Sequence, residues 1–159
     1  MKRSLFLLLL TLTACSAAPV DPLEYQENAF YAHAHFCDGD EEFYADVHSF
    51  GDGSIELTIV GGILDGVKLS CGENGYISKG NISVPFENVG ENELLSMFSI
   101  DGEDLYSSER TDDGELFIYI KNENSRKYEL YTENGLPKRI IYDSEDRHLI
   151  CEIDEISAE

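Results

Sequence analysis

The chain has 159 residues, 32 of them acidic and 11 basic, and a formal charge of −21. A surface of that sign repels phosphates and anionic headgroups, which excludes nucleic acid as a partner. Its 11% aromatic and 42% hydrophobic content is too high for a disordered acidic tail, and the length suits one domain with a buried core.

Taken in chain order, the first feature is an export signal. Lys2 and Arg3 precede the apolar run Leu5–Leu12, and small residues lead to Cys15. This is the layout of a secretory segment, too short and too broken by Thr11 and Thr13 to span a bilayer. Leu12-Thr13-Ala14-Cys15 resembles a bacterial lipobox. That resemblance implies removal of residues 1–14 and acylation of the Cys15 thiol, leaving a lipoprotein tethered at its N-terminus. The alternative is an ordinary signal peptide cut near Ala17-Ala18. Either way the protein is expected to be exported. With the anchor it sits on the bacterial cell membrane or the outer membrane, and Ser16 supplies no Asp-type inner-membrane retention cue. Residues 15–24 then read as the lipidated cysteine and a short tether, and residues 25–159 as a single domain.

The body is written in period two. Phe30, Ala32, Ala34 and Phe36 alternate with Tyr31, His33, His35 and Cys37; after the turn Asp38–Glu41 a second alternating run carries Phe43, Ala45 and Val47. Gly51-Asp52-Gly53 turns the chain into a third strand beginning Ile55, Leu57, Ile59. Further extended segments are expected at Val67–Cys71, Tyr76–Lys79 and Asn81–Phe86. Leu94, Leu95 and Phe98 break the alternation and fit a short helix over Glu93–Ile100, with Glu91 and Glu93 favourably near its start. Strands resume at Leu116–Lys121, Lys127–Thr132, Lys138–Tyr142 and Leu149–Ile153, joined by connections of hairpin length. The expected fold class is mainly β: an antiparallel meander forming a curved sheet or half-barrel with one short helix. The basic residues Lys121, Arg126, Lys127, Lys138, Arg139 and Arg147 interleave with acids and read as cross-strand charge partners.

The stretch Tyr128–Asp143, with Gly135-Leu136-Pro137 at its turn and a last hairpin strand after it, resembles the lipoprotein-carrier (LolA-like) superfamily. The three hairpin-linked strands at the N-terminus are similar too. The resemblance implies a half-barrel over helices whose concave face takes acyl chains or other apolar ligands. This chain lacks the family's Arg-Pro element after the second hairpin and any match for its lid-closing arginine. A protein fixed at Cys15 is also better placed to receive or hold a ligand than to ferry one.

The first hairpin carries the candidate chemistry. With Gly39 and Asp40 as a two-residue type II′ loop, Tyr31 faces His48, His33 faces Asp46, His35 faces Tyr44 and Cys37 faces Glu42. All apolar pairs then share the other face. Imidazole and carboxylate are ligands that zinc and copper accept, so His33, Asp46 and His48 form the candidate divalent-metal set, with His35 and Glu42 a second, weaker cluster. No cofactor is required by this reading. Cys37, Cys71 and Cys151 allow one internal disulfide and a leftover thiol, or three thiols, and sequence leaves both open. The acidic loops at Asp38–Glu42, Asp101–Asp104 and Asp112–Glu115 lack the spaced ligands of a calcium-binding loop. No nucleophile elbow or phosphate loop appears, so no enzyme is expected. The functional expectation is a monomeric envelope lipoprotein that binds an apolar ligand or an envelope protein on the concave face; the alternative is metal binding at the first hairpin.

Overall fold

The structure, a computed structural model, describes residues 21–72, 75–85, 92–121 and 125–158. Cys15, its lipobox and most of the tether lie outside the described residues, as do Phe86 and Glu91. Eleven strands form one open antiparallel sheet: β1 (Ala29–Asp38), β2 (Glu41–Phe50), β3 (Ile55–Val60), β4 (Val67–Cys71), β5 (Tyr76–Lys79), β6 (Ile82–Pro85), β7 (Leu105–Thr111), β8 (Gly114–Lys121), β9 (Arg126–Glu133), β10 (Leu136–Asp143) and β11 (His148–Ala158). The lateral order is β6-β5-β4-β3-β2-β1-β11-β10-β9-β8-β7. The mainly β, half-barrel expectation is therefore the observed architecture.

This order follows from hairpins alone, apart from one long connection. The chain starts in the middle of the sheet, walks outward to the edge at β6, and resumes at the opposite edge, β7. From there it walks back until β11 pairs with β1. The segment between β6 and β7 must therefore pass from one edge to the other. Its described part contains the single short helix α1 (Glu93–Ser96), and it crosses on the inner face.

Side-chain parity builds the core. Phe30, Ala32, Ala34 and Phe36 of β1 point inward with Ala45 and Val47 of β2, Ile55, Leu57 and Ile59 of β3, and Leu149, Cys151 and Ile153 of β11. Leu95, Met97, Phe98 and Ile100 of the crossing segment complete the same cluster. The sheet centre is lined by alanines, which lets the segment approach closely, and the Phe98 ring settles between Phe30 (6.4 Å) and Phe36 (6.2 Å).

The helix is shorter than its apolar spacing suggests, and local hydrogen bonds explain why. Asn92 caps it by accepting from the Leu95 amide at 3.2 Å. The Ser96 hydroxyl then donates back to the Glu93 carbonyl at 2.8 Å, and the next bonds are tighter i to i−3 contacts at Phe98 and Ser99. The segment is held from both sides. Tyr128 on β9 donates to Ser96 Oγ at 3.1 Å in a buried contact, and Arg147 bridges Glu93 (3.2 Å) and Asp38 (2.6 Å).

Sequence alternation misses two features. β7 is exposed along nearly its whole length, so no face of it reads as apolar; as an edge strand it has one neighbour and little to bury. β11 continues past Ile153 to Ala158 through a bulge opposite His33/Ala34 that steps over Asp154, and the bulge breaks the period there.

Burial raises the pKa of three inward groups. The Tyr119 phenol is pushed up to about 12, and Tyr25 and the Cys151 thiol are raised further still, in each case chiefly by desolvation. A raised pKa means the folded state keeps protons that the unfolded chain releases. The stabilisation is complete below the unfolded values, 9.0 for the thiol and 10.0 for the phenols, and is lost as pH climbs above them. We expect the unfolding free energy from urea titrations to hold steady to about pH 9 and then fall, by up to about 1.4 kcal/mol per pH unit for each titrating group. A flat profile to about pH 11 would contradict this burial.

Candidate functional site

The outer face of the central strands is where the polar side chains of β1, β2 and β3 collect, together with Tyr31, Tyr44 and Phe50. The β1–β2 register is the one parity requires: Tyr31 opposite His48, His33 opposite Asp46, His35 opposite Tyr44, Cys37 opposite Glu42. Gly39 supplies the positive φ of +62° and Asp40 does not, the signature of a type II′ turn. β3 extends the rows, bringing Glu56 beside His48, Thr58 beside Asp46 and Val60 beside Tyr44. On the other flank β11 places Glu155 beside His33 and Glu152 beside His35.

Within this face the rings stack. Tyr44 lies 4.7 Å from His35 and 5.7 Å from His33, near-parallel to both, and His48 rests 4.1 Å from Phe50. Tyr31, Tyr44 and Phe50 remain 40%, 46% and 48% exposed. Carboxylates frame them. His33 Nδ1 meets Asp46 at 2.7 Å, and the same carboxylate, after partial burial, raises the pKa of Tyr31. Glu56 is bound by Lys68 at 2.6 Å and by the Tyr76 hydroxyl at 3.1 Å. Arg139 pairs with Glu152 at 3.1 Å across β10–β11, one of the cross-strand charge pairs expected from sequence. Lys127 instead pairs along its own strand with Glu129.

Of the candidate ligands, the structure brings His33 and Asp46 together, but the ligand atoms of His33, Asp46 and His48 do not all lie within 4.8 Å of one another. The reason is geometric. His48 stands two residues from Asp46 on β2, diagonal to His33, and its ring packs on Phe50. Among the described residues the group of three whose ligand atoms lie within 4.8 Å of one another is His35, Cys37 and Glu42. Sequence placed these on the right face but did not join them as one set, because strand spacing says nothing about how side chains lean.

The three cysteines of the domain are free thiols. Cys37 points outward, whereas Cys151, on the neighbouring strand, is buried on the inner face. Cys71 on β4 packs against the core and lies three strand spacings from β1 and four from β11, about 14 and 19 Å along the sheet. No pair among these three meets the geometry of a disulfide.

The inner face, which sequence offers to an apolar ligand, is filled by the chain's own Leu95–Ile100. Clefts remain at the margins, among them one of about 490 Å³ beside Glu93, Arg126, Tyr142 and Arg147. Another of about 710 Å³ is polar and lined by Arg110, Asp112, Asp113, Glu133 and Lys138 among others. A third, about 260 Å³, is apolar and lies between Tyr25, Phe30, Leu136 and Ile156.

No family model and no curated protein matches the chain. Among solved structures it is similar to an uncharacterized conserved protein from Thermus thermophilus, at 12% identity and a TM-score of 0.53 over 87% of this chain and 84% of that one. It aligns more loosely with a LolA superfamily protein from Nitrosomonas europaea, at 10% identity and a TM-score of 0.48 over 87% and 92% of the two chains. The MucA/MucB complex of Pseudomonas aeruginosa gives 13% identity and 0.47 over 86% and 54%. The first likeness shows a shared fold, the curved antiparallel sheet, and that alone.

Proposed function

We propose that this chain is an exported, Cys15-anchored envelope lipoprotein that binds a protein partner through the outer face of β1, β2 and β3. The observation that carries the reading is that the inner face is packed by Leu95–Ile100, while Tyr31, Tyr44, Phe50 and Val60 stand exposed together on the outer face. Exposed aromatics are the side chains that supply most binding energy at protein interfaces. Asp46 and Glu56 lie within this patch, paired with His33 and Lys68, and Glu42, Glu152 and Glu155 border it on a chain of charge −21. Its partner therefore presents basic groups among apolar ones, and the encounter weakens with salt.

The test is site-specific photocrosslinking in intact cells, with the photoreactive residue at Phe50 and, as a control, at Tyr106 on β7. A discrete adduct from Phe50 that Tyr31→Ser removes, and none from Tyr106, is the expected result. Equal adducts at both positions, or none at Phe50, would refute it.

The second reading, an apolar ligand, draws on the cleft between Tyr25, Phe30, Leu136 and Ile156. At about 260 Å³ it is smaller than the usual small-molecule site of roughly 300–1,000 Å³. Saturable binding of a fluorescent fatty acid that Leu136→Asp abolishes would favour this reading over the first.

A further inference from the structure

We propose that the outer face of the β1–β2 hairpin holds one zinc-like divalent ion between His35, Cys37 and Glu42. This goes beyond partner binding and does not depend on it. Three observations converge on these residues.

The first is placement. Cys37 and Glu42 are a directly opposed register pair beside the turn, and His35 lies two residues before Cys37 on the same face. Their ligand atoms all fall within 4.8 Å of one another, and His35 Nε2 is already 3.4 Å from Glu42 Oε2. Zinc bonds of about 2.0–2.1 Å to nitrogen and oxygen and about 2.3 Å to sulfur set tetrahedral donors roughly 3.3–3.7 Å apart. Closing the set therefore takes side-chain shifts of about 1 Å, and Glu42, at the end of a strand with a largely exposed carboxylate, supplies them without moving the backbone.

The second is donor chemistry. One imidazole, one thiolate and one carboxylate make a mixed N, S, O set with a fourth position open to solvent. Such a set selects zinc or cobalt over magnesium and calcium, which take oxygen ligands. Thiolate and carboxylate together balance the charge of a divalent ion.

The third is support around the ligands. Tyr44 stacks on His35 at 4.7 Å and fixes the plane of the imidazole. Glu152, beside His35 on β11, is engaged by Arg139 at 3.1 Å, which keeps this further carboxylate out of the set. Cys37 is also the thiol of the domain that faces outward and has no cysteine within the domain to oxidise with.

The experiment is titration of the full chain, reduced and in detergent, first with cobalt(II) and then with zinc(II). The expected result is saturation at one ion per chain, with a near-ultraviolet thiolate-to-cobalt band and visible bands of four-coordinate intensity that zinc bleaches. Cys37→Ser removes the charge-transfer band, and His35→Ala and Glu42→Gln each weaken zinc binding at least about tenfold, while far-ultraviolet circular dichroism confirms that each variant folds. Cys15→Ser, Cys71→Ser and His48→Ala leave the band intact. Absence of the band in the unmodified chain, its survival in Cys37→Ser, or its loss in Cys15→Ser or Cys71→Ser would overturn the proposal. Loss of binding in His48→Ala with His35→Ala unaffected would overturn it in favour of His33, Asp46 and His48.

Discussion

Replacing Phe98 with alanine is expected to cost about 4 kcal/mol, the usual loss for deleting a fully buried phenyl ring. The ring is 1% exposed and wedged between Phe30 and Phe36. Its neighbours on the sheet, Ala32, Ala34 and Ala45, are too small to collapse into the space it leaves. The result is read as a fall in the urea midpoint with an unchanged m-value. The same variant carries functional information. A dry apolar cavity beneath the crossing segment should take up a small aromatic probe that the unmodified protein refuses. Phe98→Leu, which keeps most of the volume, should cost only about 1 kcal/mol. A Phe98→Ala variant as stable as the parent would mean that the inner face is not packed as described, and the apolar-ligand reading would regain its site.

The second large effect is expected at Gly114, the first residue of β8. A Cβ built there would lie 2.0 Å from the Thr132 carbonyl oxygen, an atom of β9, to which β8 is paired. No side-chain rotation relieves such a contact, so Gly114→Ala must push β8 from β9 and should cost about 3 kcal/mol from overpacking and backbone strain together. Gly53 is the control. It has a positive φ of +85° but nothing within 4 Å of its virtual Cβ, so Gly53→Ala should cost only the conformational term, about 1 kcal/mol. Thermal unfolding of the two variants side by side separates close approach from backbone conformation. Equal costs would show that the β8–β9 contact has slack.

The first hairpin is legible in full because two constraints overlap there. A glycine-led two-residue turn fixes the register, and strict alternation fixes the faces, so Tyr31, His33, His35 and Cys37 can be set opposite their partners from residue order alone. β7 is not legible, since an exposed edge strand such as Leu105–Thr111 has no reason to alternate. The helix is legible in place but not in length. Leu94, Leu95 and Phe98 mark an apolar helical face, yet Ser96 bonds back to Glu93 and the backbone tightens to i−3 contacts after one turn. The candidate metal set shows the same limit at finer scale. Parity places six ligand-type side chains on one face, but which three converge depends on stacking. Tyr44 stacks on His35, whose Nε2 lies 3.4 Å from Glu42, and His48 packs on Phe50.

What the sequence determined by itself is therefore local. It wrote the leader that resembles an export signal and lipobox, the antiparallel meander, the face each strand residue takes, and an acidity that rejects phosphate. These follow from spacing, turn chemistry and net charge, which act over a few residues or over the whole composition. The tertiary structure alone decided how the two ends of the meander meet. Pairing β1 with β11 sends β6 and β7 to opposite edges and obliges the segment between them to cross the sheet. The burial of Leu95, Met97, Phe98 and Ile100 places its described part on the inner face. That crossing buries Phe98 where a ligand was expected and moves the accessible chemistry to the other side of the sheet. Nothing in the residue order announces this, because it arises from contacts between segments far apart in the chain.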